Sequence, residues 1–276
     1  MRQNMNNLHR ELAPISAKAW AQIEEEASRT LKRHMAARRV VDVSDTKGPE
    51  LAAVGTGHLR QIKAPGDGIQ ASQREAKPLV ELRVPFELSR QAIDDVDRGA
   101  EDSDWSPVKE AARKIAYAED RSIFDGYAAA AIQGIRDGSS NANIPLPPSV
   151  QGYPAAVAQA VSQLKLAGVN GPYALVLGAD AYTTASGGNE EGYPVFHHLE
   201  RIVDGGIFWA PAIKGAFVLT RRGGDFALDI GQDISIGYLS HSATNVELYF
   251  QESFTFRVLT TEASVVLTTG EKPAGH

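Results

Sequence analysis

Two runs decide how the chain is read: Pro78–Leu88, PLVELRVPFEL, and Ser106–Tyr127, SPVKEAARKIAYAEDRSIFDGY. In the first, Val80, Leu82, Val84, Phe86 and Leu88 alternate with Glu81, Arg83, Pro85 and Glu87. A period of two buries one face of a strand and leaves the other wet. Pro85 has no N–H for a ladder, so the strand belongs at a sheet edge or in a ribbon. The second run opens on Ser106-Pro107, a capping hydroxyl followed by the residue suited to a first helical turn. Val108, Ala112, Ile115, Glu119, Ile123 and Tyr127 follow at helical spacing, and Glu110 precedes Lys114 by one turn. The helix is predicted to run to about Ala131. Its apolar stripe is thin, alanine-rich and broken by Glu119, so other elements can approach closely. Such a helix is a spine.

The 276 residues, 43% hydrophobic and 22% charged, are enough for one large domain or two sharing an interface. No run reaches the eighteen or so apolar residues of a membrane span, and no secretory signal is recognisable. With no cysteine, disulfides and thiolate metal sites are excluded; a reducing, cytoplasmic setting fits. The net charge of −6 is uneven: residues 1–40 carry eight Lys/Arg against four Asp/Glu. An acidic remainder argues against a nucleic-acid partner. The basic end is either a solvated helix surface or a face for an acidic partner.

Met5 reads as a natural start, and the first sixteen residues as an extended arm. Ser16 caps a helix with Trp20, Ile23, Ala27 and Leu31 in one stripe, Ile15 stapling against Trp20, and Lys32, Arg33, Arg38 and Arg39 at its end. From Val40 to Lys77, closely spaced Gly and Pro turn signals imply a protruding β-ribbon that finds its burial on another subunit. After a Ser/Asn/Pro-rich connection near 138–152, a mixed subdomain follows. It has a helix through Val157, Val161 and Leu164, a strand at Tyr173–Leu177, a glycine-rich acidic loop, a helix after Pro194 and a strand at Ala216–Thr220. Alternating strands occupy 226–267, before a loose tail. The class is α+β.

Chemistry is not recognisable. His197 and His198 are adjacent, which on a helix aims them about 100° apart rather than at one ion. His34, His58 and His241 lack partners at ligand spacing. No nucleophile elbow, phosphate loop or complete dinucleotide fingerprint is present; Gly55-Thr56-Gly57 reaches Arg60 where a third glycine belongs. The acidic run Asp94, Asp95, Asp97, Glu101, Asp102 and Asp104 reads as a solvated turn before a helix. No catalytic residue and no metal site are assigned.

Arm, ribbon, spine and inserted subdomain together resemble the tailed-phage major capsid fold (Hong Kong 97 phage-like). Several stretches in register go further: NNLHRELAPIS, ARRVVDV, PLVELRVPFELSR, IDDVDRGAEDSDW, GPYALVLG, GYPVFHHLERIVDGG, RRGGDFALDIGQDISIGYLSH and ESFTFRVLTTEASVVL. On these the chain resembles the encapsulins, bacterial shell proteins that enclose cargo enzymes. It is most similar to the actinobacterial type whose cargo is a dye-decolourising peroxidase.

The resemblance implies an icosahedral homo-oligomer of sixty copies, its N-terminal helix facing the lumen. The implied division is 1–42 arm and lumen-facing helix, 43–88 ribbon, 89–137 peripheral subdomain with spine, 138–222 axial subdomain, and 223–276 return to the peripheral sheet and tail. A C-terminal targeting peptide of the cargo would dock on Leu31, Met35, Arg38, Val40, Asp42, Asp233, Ile234 and Ile236. The loop Gly187, Gly188, Asn189, Glu190, Glu191, Gly192 and Tyr193 would line a fivefold pore. Relatives that bind flavin stack it on a tryptophan; Gln91 stands at that position, so no flavin or other cofactor is expected. A phage capsid protein enclosing DNA is the alternative reading, and a peptidase or bacteriocin-type enzyme a more remote one.

Overall fold

The computed structural model describes residues 7–190 and 192–269, with Glu190 described through its backbone alone. The reading of Met5, the pore-loop Glu191 and the tail beyond 269 lie outside the described residues. In chain order the elements are α1 (Ala17–His34), β1 (Asp42–Val43), β2 (Ala53–Ile62), β3 (Ala71–Pro78), β4 (Val80–Ser89), α2 (Arg90–Asp97), α3 (Ser106–Phe124) and α4 (Ile135–Gly138). The second part has β5 (Ile144–Pro145), α5 (Tyr153–Leu166), β6 (Tyr173–Leu177), α6 (Ala179–Gly187), β7 (Asn189–Glu190), β8 (Tyr193–Pro194), α7 (Val195–Ile202), β9 (Ile207–Trp209) and β10 (Ala216–Thr220). The last strands are β11 (Phe226–Ile230), β12 (Ser235–His241), β13 (Asn245–Val258) and β14 (Ser264–Thr268).

The 14-residue β13 organises the first sheet. Along one side it pairs antiparallel with β4; along the other it pairs first with β12 and then with β11. Among the described residues β4 has no second neighbour, and Pro85 stands opposite Tyr249 at that open edge, as a residue without an N–H requires. Phe86 and Leu88 are buried while Glu81, Arg83, Glu87 and Ser89 are exposed, the alternation read from the sequence. Beneath this sheet, α1, α2 and α3 close a core of Ile23, Leu88, Ile93, Val96, Ile115, Leu248 and Phe250.

The spine is shorter than predicted. α3 ends at Phe124, because Gly126 takes a φ of +92° and the chain folds back through a Tyr127–Ile132 bridge. A Cβ at Gly134 would collide with the Gly126 backbone, so the return depends on two glycines. The cap also differs: Ser106 lies inside the helix, and the Asp104 carboxylate accepts its N–H at 2.9 Å. The hydrogen bonds from Ser106 hold the Asp104 carboxyl below its usual range.

The second sheet runs β5-β14-β10-β6-β9 and is mixed. Its strand β14 comes from the end of the chain, so the segment after residue 222 does not stay with the first sheet as the sequence division expects. Val265 and Leu267 face the α5 and α7 helices, while Val266 joins the middle core with Phe217, Phe226 and Phe256. That two-faced strand ties the two sheets together. Among the described residues β2 and β3 pair only with each other, and they bury no residue.

Candidate docking groove

Helix α1 opens with Ser16 accepting the Ala19 N–H at 3.2 Å and closes on Lys32, Arg33 and His34, cations at its negative end. Ile23 and Ala27 turn into the core. The next stripe round, Ala27, Leu31 and Met35, forms one wall of a groove whose other wall is Ile234 and Ile236, with Phe250 on its floor. Leu8 and Arg10 close one end. The Leu8 carbonyl accepts from Tyr238 N at 2.8 Å, which lays the arm along β12. Arg10 pairs with Glu24 and lies 4.2 Å over the Trp20 ring. The cavity is about 580 Å³. Met35 and Ile236 are buried; Leu31 and Ile234 remain half-exposed, the part an incoming apolar chain could cover.

At the other end sits a charge cluster. The Arg38 fork meets Glu119 through Nε at 2.9 and 3.0 Å and through Nη2 at 2.6 Å, and Nη1 donates to Asp233 at 2.7 Å. Glu252 receives only a 3.5 Å contact from Nη2. Glu119 and Glu252 are 0% and 1% exposed, Asp233 50%. Burial works against the guanidinium charge, but the hydrogen bonds and charges of Glu119 and Asp233 outweigh it and raise the Arg38 pKa above its ordinary value. Burial, then the neighbouring Glu119, pushes the Glu252 carboxyl well up. Next along α3, Asp120 accepts from Ala36 N at 2.9 Å and Ala37 N at 2.9 Å, fixing the turn after α1. Burial raises Asp120 to about 7, with those two N–H donors opposing the shift.

Six of the eight residues assigned to docking therefore meet in one groove: Leu31, Met35, Arg38, Asp233, Ile234 and Ile236. Val40 and Asp42 do not line it. The 3-10 turn Ala37–Arg39 redirects the chain, Val40 is buried in the middle core, and the Asp42 carboxylate accepts from Gly224 N at 2.6 Å beside β11. The family resemblance is what made them candidates. Leu8, Arg10 and Phe250 line the groove and were missed; the strand alternation through Leu248 and Phe250 places Phe250 on the buried face but not beside α1.

The described residues of the loop assigned to the pore form a small hairpin. Gly187 ends α6, Gly188 packs against Val150, and Asn189–Glu190 pairs with Tyr193–Pro194 across Gly192, whose φ is +86°. The Tyr193 ring lies 4.6 Å from His198 and under Arg201 at 5.4 Å. Gln91 is exposed in the first turn of α2, its N–H held by the Ser89 hydroxyl. Among the described residues no group of three or more His, Cys, Asp or Glu could hold a metal ion, and no helix is long and apolar enough to cross a membrane.

A family model described as encapsulating protein for peroxidase matches residues 5–255. The chain belongs to the encapsulin family. The type 1 encapsulin shell protein of Rhodococcus erythropolis is 60% identical over 263 residues, covering 95% of this chain and 100% of that protein. The shell protein of Mycobacterium tuberculosis is 59% identical, covering 95% and 99%, and that of Brevibacterium linens 54%, also covering 95% and 99%. Among solved structures, a virus-like particle from Pyrococcus furiosus superposes with a TM-score of 0.67 at 16% identity, covering 91% of this chain and 100% of that one. The capsid of Myoviridae phage XM1 gives 0.53 at 13%, covering 84% and 90%. These two establish the fold: the encapsulin chain has the tailed-phage capsid architecture. The encapsulin relatives, at more than half identity, separate it from a phage capsid protein, and they are named for a shell rather than for a reaction.

Proposed function

We propose that sixty copies of this chain assemble in the cytoplasm into an icosahedral shell, and that the α1–β12 groove holds the C-terminal targeting peptide of a dye-decolourising peroxidase cargo. The groove carries this reading. An open apolar trough between a helix and a strand, half of it still exposed, takes alternate side chains of an extended segment. Burying two or three aliphatic side chains contributes about 1.5–3 kcal/mol each. Ordering a flexible tail takes back several kcal/mol, on the order of 2–5. One tail alone binds weakly, and retention comes from repetition over the lumen and from oligomerisation of the cargo. In the same shell, the β7–β8 hairpin of five copies would surround each fivefold opening.

The test is co-expression of shell and tagged peroxidase with Leu31→Asp, at a half-exposed wall position where a charge disturbs the groove more than the fold. Shells of normal size with cargo reduced at least tenfold on a sizing column are expected. Normal loading would place the docking surface elsewhere.

A further inference from the structure

Helices α1 and α3 run parallel and in step. Trp105 Nε1 donates to Gln22 at 3.2 Å, the His34 and Tyr117 rings lie 5.8 Å apart further along, and Ala36 N reaches Asp120 at 2.9 Å beyond them. Between the two helices, on a face of α1 that shares no residue with the docking groove, lies a cavity of about 410 Å³. Arg29 and Arg33 stand one turn apart on its α1 wall, and Lys109 and Arg113 one turn apart on its α3 wall. Like charges four residues apart destabilise a helix, and here the arrangement occurs on both walls. The helix dipoles account for only one of them. Arg33 is in the last turn of α1, at its negative end, but Lys109 is the fourth residue of α3, at the positive end. Two carboxylates share the cavity. Glu26 is buried and taken up by Arg29 and, at 3.3 Å, by the Thr30 hydroxyl; Glu110 is exposed. Lys109 also faces Asp104 at the α3 cap. Four cations thus meet two carboxylates, and among the described residues Arg33 and Arg113 form no ion pair. The His34 end of the cavity is aromatic. The Thr30 carbonyl accepts from His34 Nδ1 at 2.8 Å, which fixes the ring, and the ring packs 5.8 Å from Tyr117 and 5.7 Å from Trp209. All three rings are half-buried.

We propose that this cavity binds a nucleoside polyphosphate, its phosphates held by Arg33, Lys109 and Arg113 and its base stacked at the His34 end. Guanidinium forks meet phosphate oxygens two at a time, and a polyanion between the walls relieves the repulsion on both. The volume is that of a small-molecule site. An acidic peptide would satisfy the cations but leave the aromatic end unused, whereas a nucleobase offers it a planar face. In the proposed shell α1 faces the lumen, so the nucleotide would be held inside; that placement rests on the shell reading, and the site itself does not.

Equilibrium dialysis of purified empty shells against ATP, inorganic tripolyphosphate and adenosine, run at low salt to constant uptake, tests the site. ATP should bind, tripolyphosphate should bind about tenfold more weakly for want of a base, and adenosine should not bind measurably. Raising the ionic strength should weaken ATP binding. Arg33→Gln with Arg113→Gln, at two exposed side chains, should lower ATP affinity by about tenfold or more, whereas Lys114→Gln, beside Arg113 but outside the cavity, should leave it unchanged. His34→Leu should bring ATP down to the level of tripolyphosphate. Equal uptake of ATP and adenosine, or ATP binding that survives the double substitution, overturns the site. Equal binding of ATP and tripolyphosphate overturns the nucleotide and leaves a bare anion site. Loss of shells in the double variant alone assigns the cations to a contact between subunits and overturns the proposal. If the wild type forms no shells, the shell reading fails, and the same dialysis on the unassembled chain decides the site.

Discussion

Strands β2 and β3 bury none of their residues and pair only with each other, whereas β4, joined to β3 by the single residue Leu79, buries Phe86 and Leu88 under three helices. The boundary is sharp: Leu79 N donates to the Ala52 carbonyl at 3.0 Å, closing the ribbon at its base. Leu59, Ile62 and Ile69 are exposed along the ribbon and at its tip, in a two-stranded element too small to form a core. The contrast shows two destinations for apolar surface in one chain. The sheet side satisfies itself within the protomer. The ribbon side does not.

The largest test of that contrast removes the ribbon. Excising residues 53–78 and joining Ala52 to Leu79 through a short glycine linker should leave a folded protomer and no shells by negative-stain microscopy. Closed particles from this variant would break the comparison. On the self-sufficient side, Arg38→Ala leaves the buried Glu119 without its cation and should cost about 3–5 kcal/mol of stability, as the loss of one partner in a buried ion pair does, read from the urea midpoint. Partly solvated pairs would have predicted a loading effect alone; the burial of Glu119 makes this a stability effect. Asp42→Ala, which loses one hydrogen bond outside the groove, should cost about 1 kcal/mol.

A subtler effect comes from Asp120. Its folded pKa of about 7 lies above that of an unfolded aspartate. Its stabilisation is therefore fully present below the ordinary carboxylate range, declines as pH rises, and is lost above about 7. Asp120→Asn should match the wild type near pH 3 and flatten the fall in melting temperature between about pH 4 and 7; parallel curves for the two proteins would remove Asp120 from the pH response. The smallest effect belongs to the β7–β8 hairpin. Glu190→Lys with Glu191→Lys should leave assembly unchanged and alter cargo turnover of charged substrates only at low ionic strength. Equal turnover of anionic and cationic substrates in both proteins would exclude this loop as the route.

Much of the frame was legible because it is written in short-range periodicity. Val80 to Leu88 could be assigned to an edge strand from alternation and one proline, and Ser16 to a cap from its place before an amphipathic run. The spine was overextended because Gly126 and Gly134 act as a pair, and each alone reads as an ordinary loop glycine. Glu119 was read as a flaw in an apolar stripe; in the fold it is the acceptor that holds Arg38. Val40 and Asp42 were assigned to the site by the family resemblance, and the 3-10 turn Ala37–Arg39 carries them away from the groove.

By itself the sequence determined the class, the exposed ribbon, the buried strand, the capped helix and, through stretches in register, the family. Each depends on residues two to four positions apart or on ordered matches along one line. Only the tertiary structure decided the groove and the cluster beneath it. Arg38 reaches Glu119, Asp233 and Glu252 across 81, 195 and 214 positions. No local pattern encodes such a meeting: strand alternation and helical spacing tell which face a side chain occupies, but the neighbour on that face is chosen by how sheet and helices pack.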